Sequence, residues 1–501
     1  MDRKSKSQGY NSAPGNDEEA CEQLRLDYCD NDPDNPRNWS KTWRWSIVVL
    51  VACLCAEVQL CTIIAAPVSP QILTFFHSNN LLYRTLLVTI WELGEIFAPL
   101  VWGPLSELYG RQWILNGASV LFIVFVAGTA LSTSIQMLIA FRFLSGLATA
   151  CIPIGPGIVK DLFRKEQRGR AMSVMSLTSV VGPVVGPIVG SFLGERAGWR
   201  WVFWLPTLLS GALGVLILIL YRETYKPTIL QRKAAALQQD TRTPTHHTAP
   251  SPPHRIPTKN AFILLRPLTL IIRFPALALA TLHLSLIYGL TYLTMTTIAP
   301  VFQDRYFFSE GASGLAFLGL CLGFTLGALL CSLLLDRYIT RRRINPSTHA
   351  SQTPTSTPEQ RLPPLLLACL LTSAGMLLFG WSVHYRIYFL VPIVGTAMVG
   401  LGLAATSITV QTYVVDSFGV CAVSAISALM VVRNVTAAVV PLAGPPLFRA
   451  VGYGWGGTVL AGVGLLVVPV PGVLVRFGGR WRVSGRGGGE ANGVGGGGGG
   501  G

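Results

Sequence analysis

The stretch Ser179-Val180-Val181-Gly182-Pro183-Val184-Val185-Gly186-Pro187-Ile188-Val189-Gly190 stands inside an apolar run long enough to cross a bilayer. Helical residues four apart share a face, so Gly182, Gly186 and Gly190 form a groove without side chains into which a neighbouring helix can pack closely. Pro183 and Pro187 each remove a backbone hydrogen bond, a defect tolerated against protein or water but not against lipid. The pattern describes a helix that works against other helices. A static dimerisation face of the small-xxx-small kind is the alternative reading.

Working outward, the whole chain is a membrane protein by composition. Of its 501 residues 50% are hydrophobic and only 13% charged, with a mean hydropathy of +0.49. A soluble domain carries about twice that charge. The net charge of +15 does not point to nucleic acid, because the basic residues cluster between apolar segments and form no stripe with interleaved aromatics. The first forty residues are polar with acidic patches (Asp17, Glu18, Glu19), unlike a cleavable signal, so the first span directs insertion. The ten cysteines show neither a disulfide framework nor zinc-ligand spacing.

A window of about 20 residues places spans at 44–66, 82–103, 112–131, 136–158, 170–193, 200–221, 276–301, 312–335, 363–382, 387–413, 421–446 and 455–475. Basic residues gather after span four (Lys160, Arg164, Lys165, Arg168, Arg170), after span six (Arg222, Lys226, Arg232, Lys233, Arg255, Lys259) and after span eight (Arg337, Arg341, Arg342, Arg343). These loops, and with them both termini, are expected on the cytoplasmic side. The organisation that follows is an N-terminal tail (1–43, largely disordered), a six-helix bundle (44–221), a cytoplasmic linker (222–275), a second six-helix bundle (276–475) and a glycine-rich disordered tail (476–501). The Pro/Thr/Ser-rich stretches 238–258 and 345–364 read as linkers, and His246-His247 within the first as solvated residues and no metal site. Asn38-Trp39-Ser40 and Asn434-Val435-Thr436 match the glycosylation pattern, but the tail and span eleven are both out of reach of modification.

The halves echo each other. Span two runs into Gly103-Pro104-Leu105-Ser106-Glu107-Leu108-Tyr109-Gly110-Arg111, a turn carrying an acid and then a base, and span eight runs into Asp336-Arg337 at the matching place. This is the pattern of a parallel-repeat transporter. A carboxylate there can pair with an arginine or a facing helix N-terminus in one conformation and release it in another, which makes Gly103, Glu107, Gly110, Arg111, Asp336 and Arg337 candidates for a conformational latch. A tight turn that only enforces topology is the plainer reading.

Together these residues resemble a family. Asn35-Pro36-Arg37-Asn38-Trp39-Ser40, the GPLSELYGR turn, Arg142-Phe143-Leu144-Ser145-Gly146, GPVVGPIVG, Gly198-Trp199-Arg200-Trp201, Glu223-Thr224-Tyr225, Tyr413-Val414-Val415-Asp416, Arg433 and the Pro441-to-Phe448 stretch occur in that order. The chain resembles the major facilitator superfamily and, within it, the fungal twelve-span drug:proton antiporters, over about residues 35 to 480. The resemblance implies an all-α membrane fold of twelve helices in two bundles around a central cavity. It also implies a monomer of the plasma membrane that needs no cofactor and no obligate protein partner. Leu108 and Gln112 stand where the family's loop motif is usually basic, which weakens the latch, and Ser145 stands where span four usually has Gln.

Ionisable groups inside spans are the functional candidates, since a charge at mid-bilayer costs about 3 kcal/mol or more unless it faces a cavity or a partner. Glu57 lies in span one, Glu92 and Glu95 in span two, and Arg142 in span four. Glu92 and Glu95 are three apart and project from one side of their helix. Close acids in a low dielectric repel, and sharing a proton relieves that repulsion, so this pair or Glu57 is the expected carrier of a coupling proton with Arg142 as counter-charge. The other reading is a glutamate that pairs with an arginine to hold helices together. Gln59, Trp91, Tyr288, Tyr292 and Phe317 can line a greasy cavity with scattered donors, which suits mid-sized amphipathic organics. The sequence therefore reads as a secondary transporter exporting hydrophobic or amphipathic small molecules (drugs, toxins or secondary metabolites) in exchange for protons. A polyamine exporter, a proton-coupled importer and a non-transporting sensor are the alternatives. No Gly-x-x-x-x-Gly-Lys loop or nucleophile elbow supports an ATP-driven pump or an enzyme.

Overall fold

The computed structural model describes residues 32–78, 80–163, 167–240, 269–344, 358–418 and 422–478. The described residues form helices joined by short turns and contain no strand. The first half holds α1 (Lys41–Ile63), α2 (Ser69–Phe75), α3 (Leu81–Tyr109), α4 (Arg111–Ala130), α5 (Ile135–Leu147), α6 (Cys151–Leu162), α7 (Arg168–Ala197) and α8 (Trp199–Leu220). After α9 (Lys226–Asp240) the second half holds α10 (Pro275–Tyr306), α11 (Glu310–Leu315), α12 (Phe317–Ile344), α13 (Pro363–His384), α14 (Leu390–Phe418), α15 (Ala422–Val439) and α16 (Gly444–Leu465), with a further helical stretch at 469–478. Ten described segments are long and apolar enough to span a bilayer. The last of these, Ser424–Gly478, bends at Gly452, where φ is +75°, and so makes two crossings; α7 supplies the remaining one.

The glycine face of α7 packs on α1. A Cβ built on Gly186 would lie 2.7 Å from the Leu60 carbonyl oxygen, and one on Gly190 2.5 Å from that of Ile64, so only glycine permits this approach. That face is filled by a helix of the same half and is not free for a second copy. The proline side of α7 meets the other half: the Pro183 carbonyl accepts from Cys321 Sγ on α12 (3.8 Å), and a Cβ on Gly314 would stand 2.9 Å from the Pro187 carbonyl oxygen. The two halves therefore meet along α7 with α11 and α12, and along α3 with α15.

Four local features differ from the sequence expectation. Span four is two helices, α5 and α6, interrupted at Ala148–Ala150, because Pro153 cannot donate to the carbonyl of Thr149 and the ladder restarts after it. The linker contains a helix, α9, since 226–240 has no glycine and its one proline falls in the first turn. Span eight continues as helix through Asp336 and Arg337 to Ile344 where a turn was expected, there being no Gly or Pro to stop it before Pro346. The last part of the tail is tied to the linker helix: Lys233 of α9 bonds both carboxylate oxygens of Asp32 (2.8 and 2.7 Å) and pairs with Asp34 (2.8 Å). These bonds hold the Asp32 carboxyl below, and the Lys233 ammonium above, their usual ranges. His246 and His247, like residues 241–268, 345–357 and 479–501 as a whole, lie outside the described residues, as do the side chains of Asp336 and Arg337.

Candidate functional site

Glu92 and Glu95 are both buried near the middle of α3; Glu92 meets the second half, while Glu95 lies against Trp91 with Arg433 within electrostatic reach. The Tyr292 hydroxyl of α10 donates to Glu92 Oε1 at 2.6 Å, so a hydrogen bond between the halves ends on a carboxylate. Tyr292 in turn packs at a tilt against Tyr288 one helical turn away, with ring centroids 4.9 Å apart, and the Tyr288 hydroxyl donates to that of Tyr292 at 3.5 Å. The guanidinium of Arg433, on α15, lies 4.3 Å from the centroid of the Tyr288 ring, and its Nε donates to Asn434 Oδ1 at 3.1 Å. Arg433 is within electrostatic reach of both glutamates. Glu92 of one half is thus joined through a pair of tyrosines to a base of the other, with Glu95 one turn away within that base's field.

Arg142 is buried and pairs with no carboxylate among the described residues. Its Nε donates to the Leu87 carbonyl (2.9 Å) and its two Nη atoms to those of Cys61 (2.7 Å) and Thr62 (2.8 Å), with the ring of Trp91 4.8 Å away. It ties the end of α1 to α3, where the last carbonyls of a helix need donors. Trp91 itself turns into the first half's core against Phe122. Phe317 sits in the apolar cluster that joins Ile63 and Val88 to the second half, and Gln59 lies beneath Gly182 of α7. Glu57 is buried within the first half alone, where the Ser210 hydroxyl of α8 donates to its Oε1.

At the end of the molecule that carries α9, the GPLSELYGR turn reduces to one residue: α3 runs through Gly103 to Tyr109, and Gly110 turns the chain at φ +95°, a conformation costly for other residues. Glu107 is exposed there, while Arg111 is buried and pairs with Asp161 of α6 at 2.5 Å. Glu223 accepts the backbone N–H groups of Arg111 (3.0 Å) and Gln112 (3.1 Å), capping α4, and the Gln112 amide donates to the Tyr221 carbonyl at 2.8 Å. Burial, followed by the nearby Glu107 charge, raises the Tyr225 phenol above its usual range.

At the opposite end the halves are joined. Glu195 of α7 accepts the Gly311 N–H (3.0 Å), Ser191 donates to the Gly311 carbonyl (3.2 Å), Gln303 donates to the Pro67 carbonyl (3.1 Å), and Arg84 faces Asp304 at 3.9 Å.

Residues 51–441 match the family model described as Major Facilitator Superfamily. The chain belongs to the major facilitator superfamily. Among its relatives, the MFS-type transporter hepF of Aspergillus oryzae is 38% identical over 466 residues, covering 91% of this chain and 94% of that one. The efflux pump radE of Floropilus chiversii is 36% identical over 455 residues, with 90% and 83% covered. The xylose transporter XylE of E. coli, solved in a partially occluded inward open conformation, shares the fold at a TM-score of 0.62 and 13% identity, over 87% of this chain and 98% of that one. This facilitator is a multi-pass membrane transporter; its relatives and its fold are those of transporters and not of enzymes.

Of the residues the sequence singles out, the structure brings Glu92, Tyr288 and Tyr292 together, with three partners that the sequence does not single out. Arg433 was quoted only as part of the family pattern, although the rule that selected Arg142, a charge well inside a span, selects it equally. Asp161 and Glu223 flank spans and carried no signal beyond the Glu223-Thr224-Tyr225 pattern.

Proposed function

We propose that this facilitator exports hydrophobic or amphipathic small molecules in exchange for protons, with Glu92 and Glu95 as the exchange site. The observation that carries the reading is the bond from Tyr292 to Glu92 between the halves, with Arg433 opposite. Two carboxylates and one guanidinium are neutral together when they hold one proton, so gain or loss of that proton changes the charge buried between the halves by one unit. Such a change alters the cost of keeping the site closed, and a group placed on the seam between two rocking bodies turns it into a bias between their arrangements. The name of radE as an efflux pump supports the direction of transport. Tyr288, Tyr292 and the apolar residues around Phe317, packed together here, would bring rings and a few donors to a cavity opened between the halves, suited to amphipathic organics.

In this reading the end carrying α9, with Lys160, Arg168, Arg170, Arg222 and Lys226 near it, faces the cytoplasm, and both termini lie there. The contacts of Glu195, Gln303 and Arg84 then close the external side, so the solute is taken up from within. The protein acts in the plasma membrane as a single chain. Arg111 with Asp161 and Glu223 steadies the cytoplasmic ends of the first half, and exposed Glu107 is free to engage a partner when the halves rock the other way.

The test is transport by the full chain in proteoliposomes, with a fluorescent amphipathic probe and an imposed pH gradient. Gradient-driven movement should occur in the wild type and vanish in E92Q/E95Q, while exchange of probe down its own gradient persists. Undiminished gradient-driven movement in the double variant would remove these residues from the coupling role. A wild type that moves no probe would instead favour a sensor.

A further inference from the structure

The break in span four leaves two helix ends inside the membrane, and the structure serves them unequally. On the carbonyl side, the Leu147 oxygen accepts from the Trp102 indole (2.6 Å) and the Gly146 oxygen from the Thr149 hydroxyl (2.8 Å). On the amide side, α6 starts at Cys151 with no side-chain cap, and a helix offers the N–H groups of its first turn no acceptor of its own. Pro153 accounts for one of these missing acceptors by having no N–H at all. Cys151 and Ile152 keep theirs.

Directly beside that end is a cavity of about 20 Å³, lined among others by Ala148, Ala150 and Cys151 at the break, Ser119 of α4, Ser210 of α8 and Glu57 of α1. Glu57 is 2% exposed; its Oε1 is taken by Ser210, and its Oε2 has no hydrogen-bond partner among the described residues. A water needs roughly 10–15 Å³ of this kind of space and two or more polar partners. The cavity has room for one water and for nothing larger, an unused acceptor on one wall and the start of a helix on the other. Besides Glu57, the titratable groups near it among the described residues include the thiols of Cys151 and of Cys55, which contacts Cys151, with Cys61 and Glu95 within electrostatic reach.

We propose that this cavity is a single-water site in which the water accepts from the first-turn amides of α6 and donates to Glu57 Oε2. Glu57 is on this view a positioning residue that holds the two pieces of span four in place through a water, and not the carrier of the exchanged proton. The second statement rests on the exchange reading above; the first stands without it. All the groups concerned belong to one half, so the site travels with that half as a unit when the halves rock. A leucine at position 57 would occupy the space and leave the amides unserved, whereas a glutamine keeps an oxygen where the water needs one.

High-resolution electron microscopy of the full chain, wild type, E57Q and E57L, tests the site, and the proteoliposome assay run on the same three proteins tests the role. The wild type and E57Q should each show one ordered density within hydrogen-bond distance of residue 57 and of the residue 151 or 152 amide, and E57L none. Coupled transport should survive E57Q within about threefold and fall about tenfold in E57L, the equivalent of one lost hydrogen-bonded link, with the proton-to-solute ratio unchanged. An unhydrated cavity in the wild type overturns the water site. Loss of gradient-driven transport in E57Q with simple exchange intact overturns the positioning role. A wild type that transports nothing counts against the exporter reading, and the density then decides the water site by itself.

Discussion

Glu57 and Glu92 are the same residue type on packed helices of the same half, and each is only 2% exposed, so burial does not tell them apart. Each accepts one hydroxyl bond. For Glu57 the donor is Ser210, in its own half, and for Glu92 it is Tyr292, in the other. The difference lies in what each bond can sense. A bond inside one rigid body contributes equally to every arrangement of the two bodies and cancels from the equilibrium between them; a bond across the seam does not cancel. Under the proposed exchange site, what sets Glu92 apart from Glu57 is the helix its partner belongs to.

The sharpest way to break this comparison is to remove the charge opposite Glu92. In R433L two buried acids lose the cation that faces them, and removing one partner of a buried charge arrangement costs about 3–5 kcal/mol. The purified variant should melt well below the wild type and fail in coupled transport, and adding E92Q should restore part of the melting temperature because the uncompensated charge goes with it. An R433L protein with wild-type melting would mean that Arg433 does not answer the α3 acids.

A matched pair of hydroxyl deletions sharpens it further. Y292F and S210A each take one donor from one glutamate, a loss of about 1.5–3 kcal/mol for a bond to a charged group. In Y292F this loss falls on the present arrangement alone, and the distance between spin labels at the exposed positions Leu131 and Tyr385, at the sealed end of either half, should shift toward the open population by about tenfold or more. In S210A the melting temperature should drop while the label distances stay as they are. Equal shifts in both variants would dissolve the distinction.

The sequence carried the number and place of the spans because a bilayer imposes length and hydropathy on each of them, and every one of the twelve stretches has its counterpart in the helices. The facing of α7 was also legible, since three glycines at i, i+4 and i+8 leave a helix one possible close contact, here with α1. The contacts of the ionisable groups were less legible. Spacing put Glu92 and Glu95 on one side of α3 but could not say that Tyr292 and Arg433 stand opposite, two hundred residues or more along the chain. It also grouped Glu57 with them, because hydropathy records depth in the membrane and not direction around a helix. The break at Ala148–Ala150 had a signal in Pro153, but proline is common in membrane helices and usually only kinks them. Arg142 reads as a counter-charge by type, yet its three donors go to carbonyls at Cys61, Thr62 and Leu87, a role that no side-chain pattern announces.

The smallest expected effect is at the seal itself. Glu195 lies on α7 beyond the last motif glycine, and its carboxylate accepts the Gly311 N–H of the other half. By the criterion that separates Glu92 from Glu57 it belongs with Glu92, although it stands near the membrane boundary and Glu310 is next to the N–H it holds. E195Q keeps an oxygen to accept that bond and gives up only the charge, which makes a charge-assisted bond about twice as strong as a neutral one, a difference of about 1 kcal/mol. The label pair at 131 and 385 should therefore move in the same direction as in Y292F and by less, about fivefold in population. The proton-to-solute ratio should not change, since the exchange site is untouched. A change in that ratio would place a second exchanged proton at the seal and make the seam, more than any one glutamate on it, the unit that couples the two flows.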